Sequence, residues 1–183
     1  KTGSSLGFCA LCNERTGKAA MARHLAACAP NHDARRGGPC QLFHLGVESR
    51  EAPIFWIDVE VKAESPLRRL DDLLRRVWLE CCGHMSAFEI GGLRYSVVVD
   101  HEFGFNPNER SMNTKVSRVL TSLGQRFTYE YDFGSTTYLA LRFLGTRSGN
   151  IGRPAARLLA RNASPVWPCA VCAEPATLIC PFC

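Results

Sequence analysis

The sequence predicts an α+β fold in which a central domain with the element order β-α-β-β-α-β-β lies between two cysteine-rich ends. Three observations predict this organisation: strand-like apolar segments, apolar residues at helical spacing elsewhere, and cysteines that gather mainly near the two ends. Hydrophobic residues make up 46% of the 183 residues and charged residues 21%, which excludes a wholly disordered chain. We place the central domain at residues 53–146.

Apolar spacing predicts the first strand and helix of this domain. Residues 54–61 alternate, with Phe55, Ile57 and Val59 on one side, as in a half-buried strand. Ser65 then offers a helix N-cap, and Pro66 suits the first helical position. Apolar residues follow at helical spacing over 67–78, so we expect a helix whose charged side chains form a solvated surface.

A hairpin and a second helix follow along the chain. Strands at 85–90 and 93–99 are joined by Gly91-Gly92, a link that is typical of a tight β-hairpin. Residues 100–113 are polar and are expected to form a loop. A short helix is predicted at 114–123, ending at Gly124, because its apolar residues are spaced i, i+3, i+4, i+7. The last two predicted strands are 127–133 and 138–144.

The N-terminal segment, 1–32, carries a finger-like metal motif. Cys9 and Cys12 are two residues apart, so one turn can direct both thiolates to a single ion. His24 and Cys28 lie in a segment rich in helix-forming residues, 18–28, and share one helical face. These four residues predict a zinc site, with His32 as a second possibility in place of Cys28.

The C-terminal segment, 147–183, predicts a second zinc site. Cys169, Cys172, Cys180 and Cys183 form two Cys-x2-Cys pairs, the pattern of a four-cysteine site. We therefore expect two Zn²⁺ ions, held in two small zinc-binding modules that flank the central domain. Because the sequence stops at its fourth ligand, we expect further residues after Cys183, and metal ligands among them would change this pairing.

Residues 33–52 are predicted to be a linker between the first module and the central domain. The sequence at 35–39 reads Arg-Arg-Gly-Gly-Pro, a composition that interrupts helices and strands. Cys40 and His44 follow this stretch, and we interpret them as bystanders rather than ligands.

Apolar content and cysteine spacing favour a cytoplasmic protein. The sequence has no run of about 18 apolar residues, so neither a transmembrane helix nor a membrane partner is expected. Its first residues lack the apolar core of a signal peptide. Cys-x2-Cys pairs suit metal binding in a reducing compartment better than a disulfide framework.

Charge is unevenly distributed along the chain. The formal net charge of +5 divides into +4 for residues 1–50, −2 for 51–145 and +3 for 146–183. Basic ends favour contact with nucleic acid. However, two loaded zinc sites with seven thiolates would lower the net charge to about +2, which weakens that interpretation.

A further group of reactive residues lies in the middle of the chain. Cys81, Cys82 and His84 are interpreted first as buried thiols and a turn histidine, and alternatively as metal ligands or as a nucleophile with its base. Asp132 precedes Phe-Gly as in the kinase magnesium motif, but the other kinase motifs are missing. We expect Asp132 to hydrogen-bond within its own turn.

Three segments resemble the plasmid pRiA4b ORF-three-like family, in the form that also carries zinc-binding ends. They are Trp-Leu-Glu-Cys-Cys-Gly-His-Met-Ser-Ala-Phe at 78–88, Tyr-Glu-Tyr-Asp-Phe-Gly-Ser-Thr-Thr at 129–137 and Leu-Ala-Arg-Asn at 159–162. The resemblance covers about 53–165 and implies an α+β domain without an implied activity. Many members continue with Asp-x-Trp-x-His where this chain has Ser-Thr-Thr-Tyr, so a site built on that Trp and His is absent.

Three functions are compatible with these observations. The first is a non-catalytic interaction module in which structural zinc holds the ends, with a protein or a nucleic acid as partner. The second is a DNA-binding protein linked to mobile elements, as the family's association with transposons suggests. The third is an enzyme that depends on Cys81, Cys82 or His84. No complete catalytic set and no small-molecule substrate are indicated.

Overall fold

A single mixed sheet organises the chain in the computed structural model, which describes residues 6–79, 83–97, 107–166, 168–169, 172 and 174. Its ten strands are β1 (Leu6–Cys9), β2 (Arg15–Gly17), β3 (Cys40–Ser49), β4 (Trp56–Lys62), β5 (Ser86–Ile90), β6 (Leu93–Ser96), β7 (Glu109–Ser111), β8 (Arg126–Tyr131), β9 (Thr137–Gly149) and β10 (Ala156–Asn162). The helices are α1 (Lys18–Cys28), α2 (Leu67–Val77) and α3 (Val116–Val119), with a 3-10 turn at Ala29–His32. The predicted α+β class is confirmed.

The sheet crosses the domain boundaries that the sequence suggested. Its strand order is β2-β1-β10-β4-β3-β9-β8-β5-β6-β7, and every pair is antiparallel except β6 with β7. Strand β1 of the N-terminal segment pairs with β10 of the C-terminal segment, and β10 pairs with β4. The N-terminal module is therefore an extension of the central sheet rather than a separate body.

The predicted linker at 33–52 is wrong in its second half. Strand β3 occupies 40–49 and lies between β4 and β9 in the middle of the sheet. The sequence signal was present, because Phe43, Leu45 and Val47 alternate with less apolar residues and all three are buried. The short Arg-Arg-Gly-Gly-Pro stretch marks only the connection into this strand.

Helix α2 is predicted well, and its leucines supply much of the core. Leu67, Leu70 and Leu74 are fully buried in one apolar cluster with side chains of β3, β4, β5, β8 and β9. The helix begins at Leu67, one residue later than expected, because Pro66 has an extended conformation (ψ 151°) and is the cap itself. The predicted side-chain cap from Ser65 is wrong, since no side-chain hydrogen bond caps this helix.

The second half of the central domain differs from its prediction in length. The Gly91-Gly92 hairpin is confirmed, with φ values of 60° and 77° that suit glycine. Helix α3 is a single turn, because Leu120 already has an extended conformation. The loop predicted at 100–113 contains strand β7, which adds an element to the predicted order, and its residues 100–106 lie outside the described part.

No helix within the described ranges combines the length and the apolar character needed to cross a bilayer.

Candidate functional site

Four predicted ligands meet at one end of the sheet. The ligand atoms of Cys9, Cys12, His24 and Cys28 all lie within 4.8 Å of one another. The Sγ atoms of Cys9 and Cys28 are 3.8 Å apart, and Cys12 Sγ lies 3.3 Å from His24 Nε2. Cys9 and Cys28 are buried and Cys12 is exposed, so the cluster lies just beneath the surface.

Local backbone geometry explains why these residues converge. The amide of Cys9 donates to the carbonyl of Glu14 at 2.9 Å, and the amide of Asn13 donates back to the carbonyl of Cys9 at 2.9 Å. Asn13 has φ 65°, a left-handed conformation that asparagine tolerates better than most residues. This tight turn directs Cys9 and Cys12 toward α1, where His24 and Cys28 lie one helical turn apart.

The donor set fits a zinc ion. Tetrahedral zinc binds thiolates at about 2.3 Å, which places two sulfur ligands about 3.8 Å apart, and Cys9 and Cys28 have this separation. The same separation is far too long for a disulfide, whose sulfurs lie about 2.0 Å apart. Three thiolates and one imidazole are a ligand set that zinc commonly takes in structural sites.

The alternative ligand, His32, occupies a supporting position. Its Nδ1 lies 3.0 Å from the carbonyl oxygen of Cys28 and 3.6 Å from Cys28 Sγ. It is absent from the group of mutually close ligand atoms that includes Cys28. The geometry therefore favours Cys28 as the fourth ligand and His32 as its neighbour.

Two of the thiols differ in acidity. A backbone hydrogen bond at Glu14 lowers the pKa of the exposed Cys12 thiol. Burial raises the pKa of the Cys28 thiol to about 12. Because metal ligands must be deprotonated, loading this site releases protons and depends on pH.

An apolar cluster attaches the finger to the sheet. Met21 and Leu25 of α1 are buried together with Trp56 of β4 and with Leu159 and Ala160 of β10. Cys9 and Cys28 belong to the same cluster. Two of the four candidate ligands therefore form part of a small second core.

An ionic network anchors the residues that follow the finger. Arg147 of β9 donates to both carboxylate oxygens of Asp33, at 2.8 and 2.9 Å, and to Glu60 at 2.6 and 3.0 Å. Arg157 of β10 donates to Glu60 at 3.1 Å and to the carbonyl of His32 at 2.9 Å. The Arg147 guanidinium lowers the pKa of the Asp33 carboxyl group, which stays ionised beside its partner.

The predicted C-terminal site is described only in part. Cys180 and Cys183 lie outside the described residues, whereas Cys169 and Cys172 lie within them. The sequence at 169–174, Cys-Ala-Val-Cys-Ala-Glu, repeats Cys-Ala-Leu-Cys-Asn-Glu at 9–14. The amide of Cys169 donates to the carbonyl of Glu174 at 2.7 Å, the same bond that Cys9 makes with Glu14. Residues 169–174 thus resemble 9–14 in sequence and share one backbone hydrogen bond of the N-terminal turn.

The central group of reactive residues lies at a different place. His84 Nδ1 is 3.8 Å from Asp132 Oδ1, while Cys81 and Cys82 lie outside the described part of the chain. The expected turn bond of Asp132 is present, because its Oδ1 accepts from the amide of Gly134 at 3.0 Å. The amide of His84 donates to the Tyr131 hydroxyl at 3.2 Å, so the two resemblance-bearing segments contact each other.

These segments border a cavity of about 560 Å³, which we call the motif pocket. It lies between α2, the β5–β6 hairpin and the turn after β8. Its lining includes the side chains of Arg68, Arg75, His84, Met85, Val97 and Phe133, together with three carboxylates and Arg94.

A buried carboxylate forms the floor of the motif pocket. Asp71 is 2% exposed and accepts from Ser86 Oγ at 2.7 Å, from the Tyr129 hydroxyl at 2.6 Å and from Arg75 Nε at 2.9 Å. Burial, followed by the charge of Asp71, raises the pKa of Tyr129, so this hydroxyl remains a donor. The burial of Asp71 was not predicted from the sequence, because Asp71 lies among several other charged residues of α2 and nothing in the sequence distinguishes it from them.

A second cavity, of about 890 Å³, lies between α1 and the open face of the sheet. Next to it, His44 Nε2 and Asp58 Oδ1 are 2.6 Å apart across β3 and β4, and Asp58 is buried. His44 was interpreted as a bystander rather than a metal ligand, and its contact with Asp58 does not contradict that interpretation. The two residues are 14 positions apart, so only the pairing of β3 with β4 reveals their relationship.

Comparison with known proteins agrees with the fold. A family model described as "Plasmid pRiA4b ORF-3-like protein" matches residues 42–163, well over half of the chain. The match begins within β3, as expected if that strand belongs to the central sheet. The crystal structure of a protein of unknown function from Methanosarcina mazei Go1 is similar with a TM-score of 0.57 and 17% identity, covering 68% of this chain and 71% of that chain. No curated protein matches.

Proposed function

This chain belongs to the plasmid pRiA4b ORF-3-like family, and from that premise we propose that it is a non-catalytic binding domain stabilised by structural zinc. The observation that carries the proposal is the convergence of Cys9, Cys12, His24 and Cys28, with ligand atoms within 4.8 Å of one another. Two of these ligands also pack in the apolar cluster around Trp56, so metal binding and attachment of the finger depend on the same residues.

The ligand set supports a structural role for the ion. Four protein ligands complete a tetrahedral site, whereas catalytic zinc sites keep one position open for water or substrate. Zinc binding of this kind contributes directly to folding, by about 10 kcal/mol in isolated fingers. We therefore propose that zinc fixes α1 against β10 and takes no part in a reaction.

A second zinc ion is proposed at Cys169, Cys172, Cys180 and Cys183. Support comes from the repeated sequence and from the shared backbone bond between each first cysteine and the glutamate five residues later. Both ends of the chain would then carry the same kind of metal-bound turn.

We propose a protein rather than DNA as the partner. A helix that reads DNA presents polar and basic side chains to the base edges. The exposed residues of α1 are Arg23 and five alanines, namely Ala19, Ala20, Ala22, Ala26 and Ala27. Lys18 at its start is already paired with Glu48. A small-residue helix surface suits close packing against another protein better than base recognition.

Metal counting on single-cysteine variants tests the zinc proposal. We expect two zinc ions per chain in the full-length protein, one in Cys12→Ser, one in Cys172→Ser, and two in the control Cys40→Ser, since Cys40 is half-buried and lies outside both ligand sets. Unchanged zinc content in Cys12→Ser would refute the N-terminal site. Unchanged content in Cys172→Ser would refute the C-terminal one.

A salt series distinguishes the two kinds of partner. The zinc-loaded protein is titrated with single- and double-stranded DNA at increasing salt. The proposal expects no binding at low salt. Binding that weakens by a log–log slope of about −0.9 per phosphate contact would instead identify duplex DNA as the ligand.

A further inference from the structure

We infer that the motif pocket binds a small ligand that carries one anionic group on an apolar body. This inference goes beyond the proposed function, because it concerns a different part of the molecule from the metal ligands. The cavity of about 560 Å³ has the size of a small-molecule site, for which 300–1,000 Å³ is about the usual range.

Apolar side chains at the rim provide the first argument. Met85, Val97 and Phe133 are 64%, 45% and 42% exposed, although each is large and apolar. They come from three separate parts of the chain and all line this one cavity. Convergence of exposed apolar side chains on a concave surface is typical of ligand-binding sites.

Charge pairing provides the second argument. The acidic residues that line the pocket already have donors: Asp71 has three, Asp72 pairs with Arg69 at 3.2 Å, and Glu109 accepts from Ser96 Oγ at 2.6 Å. The Arg68 side chain, in contrast, is exposed and has no partner among the residues that the structure describes. Arg68 is therefore available to pair with an anionic group of a ligand, whereas each acidic side chain of the lining already accepts a hydrogen bond.

Arg75 provides a preorganised donor for that anion. Its Nε is held by Asp71 and its Nη2 donates to Ser86 Oγ at 2.6 Å. Its guanidinium also stacks over the Tyr131 ring at 4.8 Å from the ring centre. Within the described part of the chain Nη1 has no acceptor. A guanidinium fixed in this way binds a carboxylate or phosphate without further loss of side-chain entropy.

The turn at Asp132 determines where Phe133, one of the apolar residues at the rim, lies. Asp132 has φ 59°, a left-handed conformation that aspartate adopts more readily than most residues, and its Oδ1 accepts from the amide of Gly134. The turn that follows exposes Phe133, whose ring lies 4.6 Å from the Arg94 guanidinium. The turn therefore holds an aromatic ring in the pocket lining, beside Arg94, which is itself paired with Glu130 at 3.0 Å.

The anionic fluorescent dye 8-anilinonaphthalene-1-sulfonate is the probe. Zinc-loaded full-length protein should bind one dye molecule per chain with saturation. We expect Arg68→Gln and Phe133→Ala each to weaken binding about tenfold, as the loss of one good contact does. The matched controls are Arg76→Gln, on the same helix, and Leu123→Ala, whose side chain is 66% exposed away from the pocket. Both should bind like the unchanged protein.

Neutral and competing molecules test the chemistry. The uncharged analogue N-phenyl-1-naphthylamine should bind about tenfold more weakly than the anionic dye. Octanoate and octyl phosphate should displace the dye, and the better competitor identifies the anion as a carboxylate or a phosphate. Equal binding of the neutral dye, displacement by neither competitor, or equal losses in the test and control variants would each overturn the inference. The zinc count of the same samples is read separately, so failure of the pocket leaves the zinc proposal standing.

Discussion

Gly7 lies directly against the indole ring of Trp56. A methyl group on Gly7 would come within 2.5 Å of two ring carbons and within 2.6 Å of the Arg161 carbonyl oxygen. Neither neighbour can yield easily, because Trp56 is buried in the cluster beneath the finger and Arg161 belongs to the strand that pairs with β1.

Gly7→Ala should therefore loosen the finger from the sheet. We expect a loss of about 2 kcal/mol in the free energy of unfolding, as is common when a well-packed core is overfilled. Urea denaturation measures this. The control is Gly145→Ala, a strand glycine with no atom within 4 Å of an added methyl group. Equal stability of the two variants would show that the close contact is not maintained in solution.

The Asp33–Arg147 pair should make stability depend on pH. The pKa of Asp33 is lowered in the folded protein, so the pair contributes fully above the ordinary pKa of 3.8 and is lost as pH falls through the lower folded value. Asp33→Asn should cost about 2 kcal/mol at pH 7, the upper range for hydrogen bonds to charged groups. The difference from the unchanged protein should shrink below about pH 4.

Denaturation at several pH values checks this prediction against Asp72→Asn. The pair of Asp72 with Arg69 is exposed, and such pairs contribute about 0.5 kcal/mol or less. A difference between Asp33→Asn and the unchanged protein that stays constant down to pH 3 would contradict the assignment.

Removal of Asp71 should destabilise the central domain more than any surface carboxylate. Asp71→Ala leaves Arg75 and Tyr129 without their buried acceptor and should cost about 3–5 kcal/mol, as breaking a buried charge pair does. Tyr129→Phe removes a single donor from the same carboxylate and should cost about 1 kcal/mol. Thermal unfolding of both variants and the double variant measures their coupling. Additive losses would argue against a shared network.

Hydrogen exchange should separate strand β3 from the segment before it. Amides at 40–49 lie between two paired strands and should exchange slowly, in contrast with those at 35–39. Mass spectrometry of peptides from these two segments measures the rates. Rapid exchange throughout 35–49 would restore the original interpretation of this region as a linker.

Residue spacing along the sequence predicted the helices α1 and α2. Helix α1 has the predicted bounds because the spacing of His24 and Cys28 and the alanines around them agree, and α2 follows its leucines. Strand β3, whose place in the sheet depends on pairing with segments distant in the sequence, was not predicted. The apolar residues of β3 alternate, but only β4 and β9 make that segment a central strand.

The candidate metal ligands and the motif pocket also differ in how far the sequence predicts them. Cys9, Cys12, His24 and Cys28 fall within 20 residues and have a recognisable spacing, so the sequence identified all four. Asp71 and Ser86 form the floor of the pocket through a contact between residues whose spacing in the sequence follows no recognisable pattern.

The predicted length of α3 was too great because apolar periodicity does not show where tertiary contacts end a helix.

The pairing of β1 with β10 places the first and last strands along the described chain side by side, with Gly7 opposite Asn162. During synthesis the finger is made early, but the strand on which it docks is made much later. At about 5–20 residues per second, the ribosome needs on the order of ten seconds to add the residues between them. Throughout that interval the nascent thiols have no strand β10 to pack against, so metal capture must either precede docking or wait until that strand has been made.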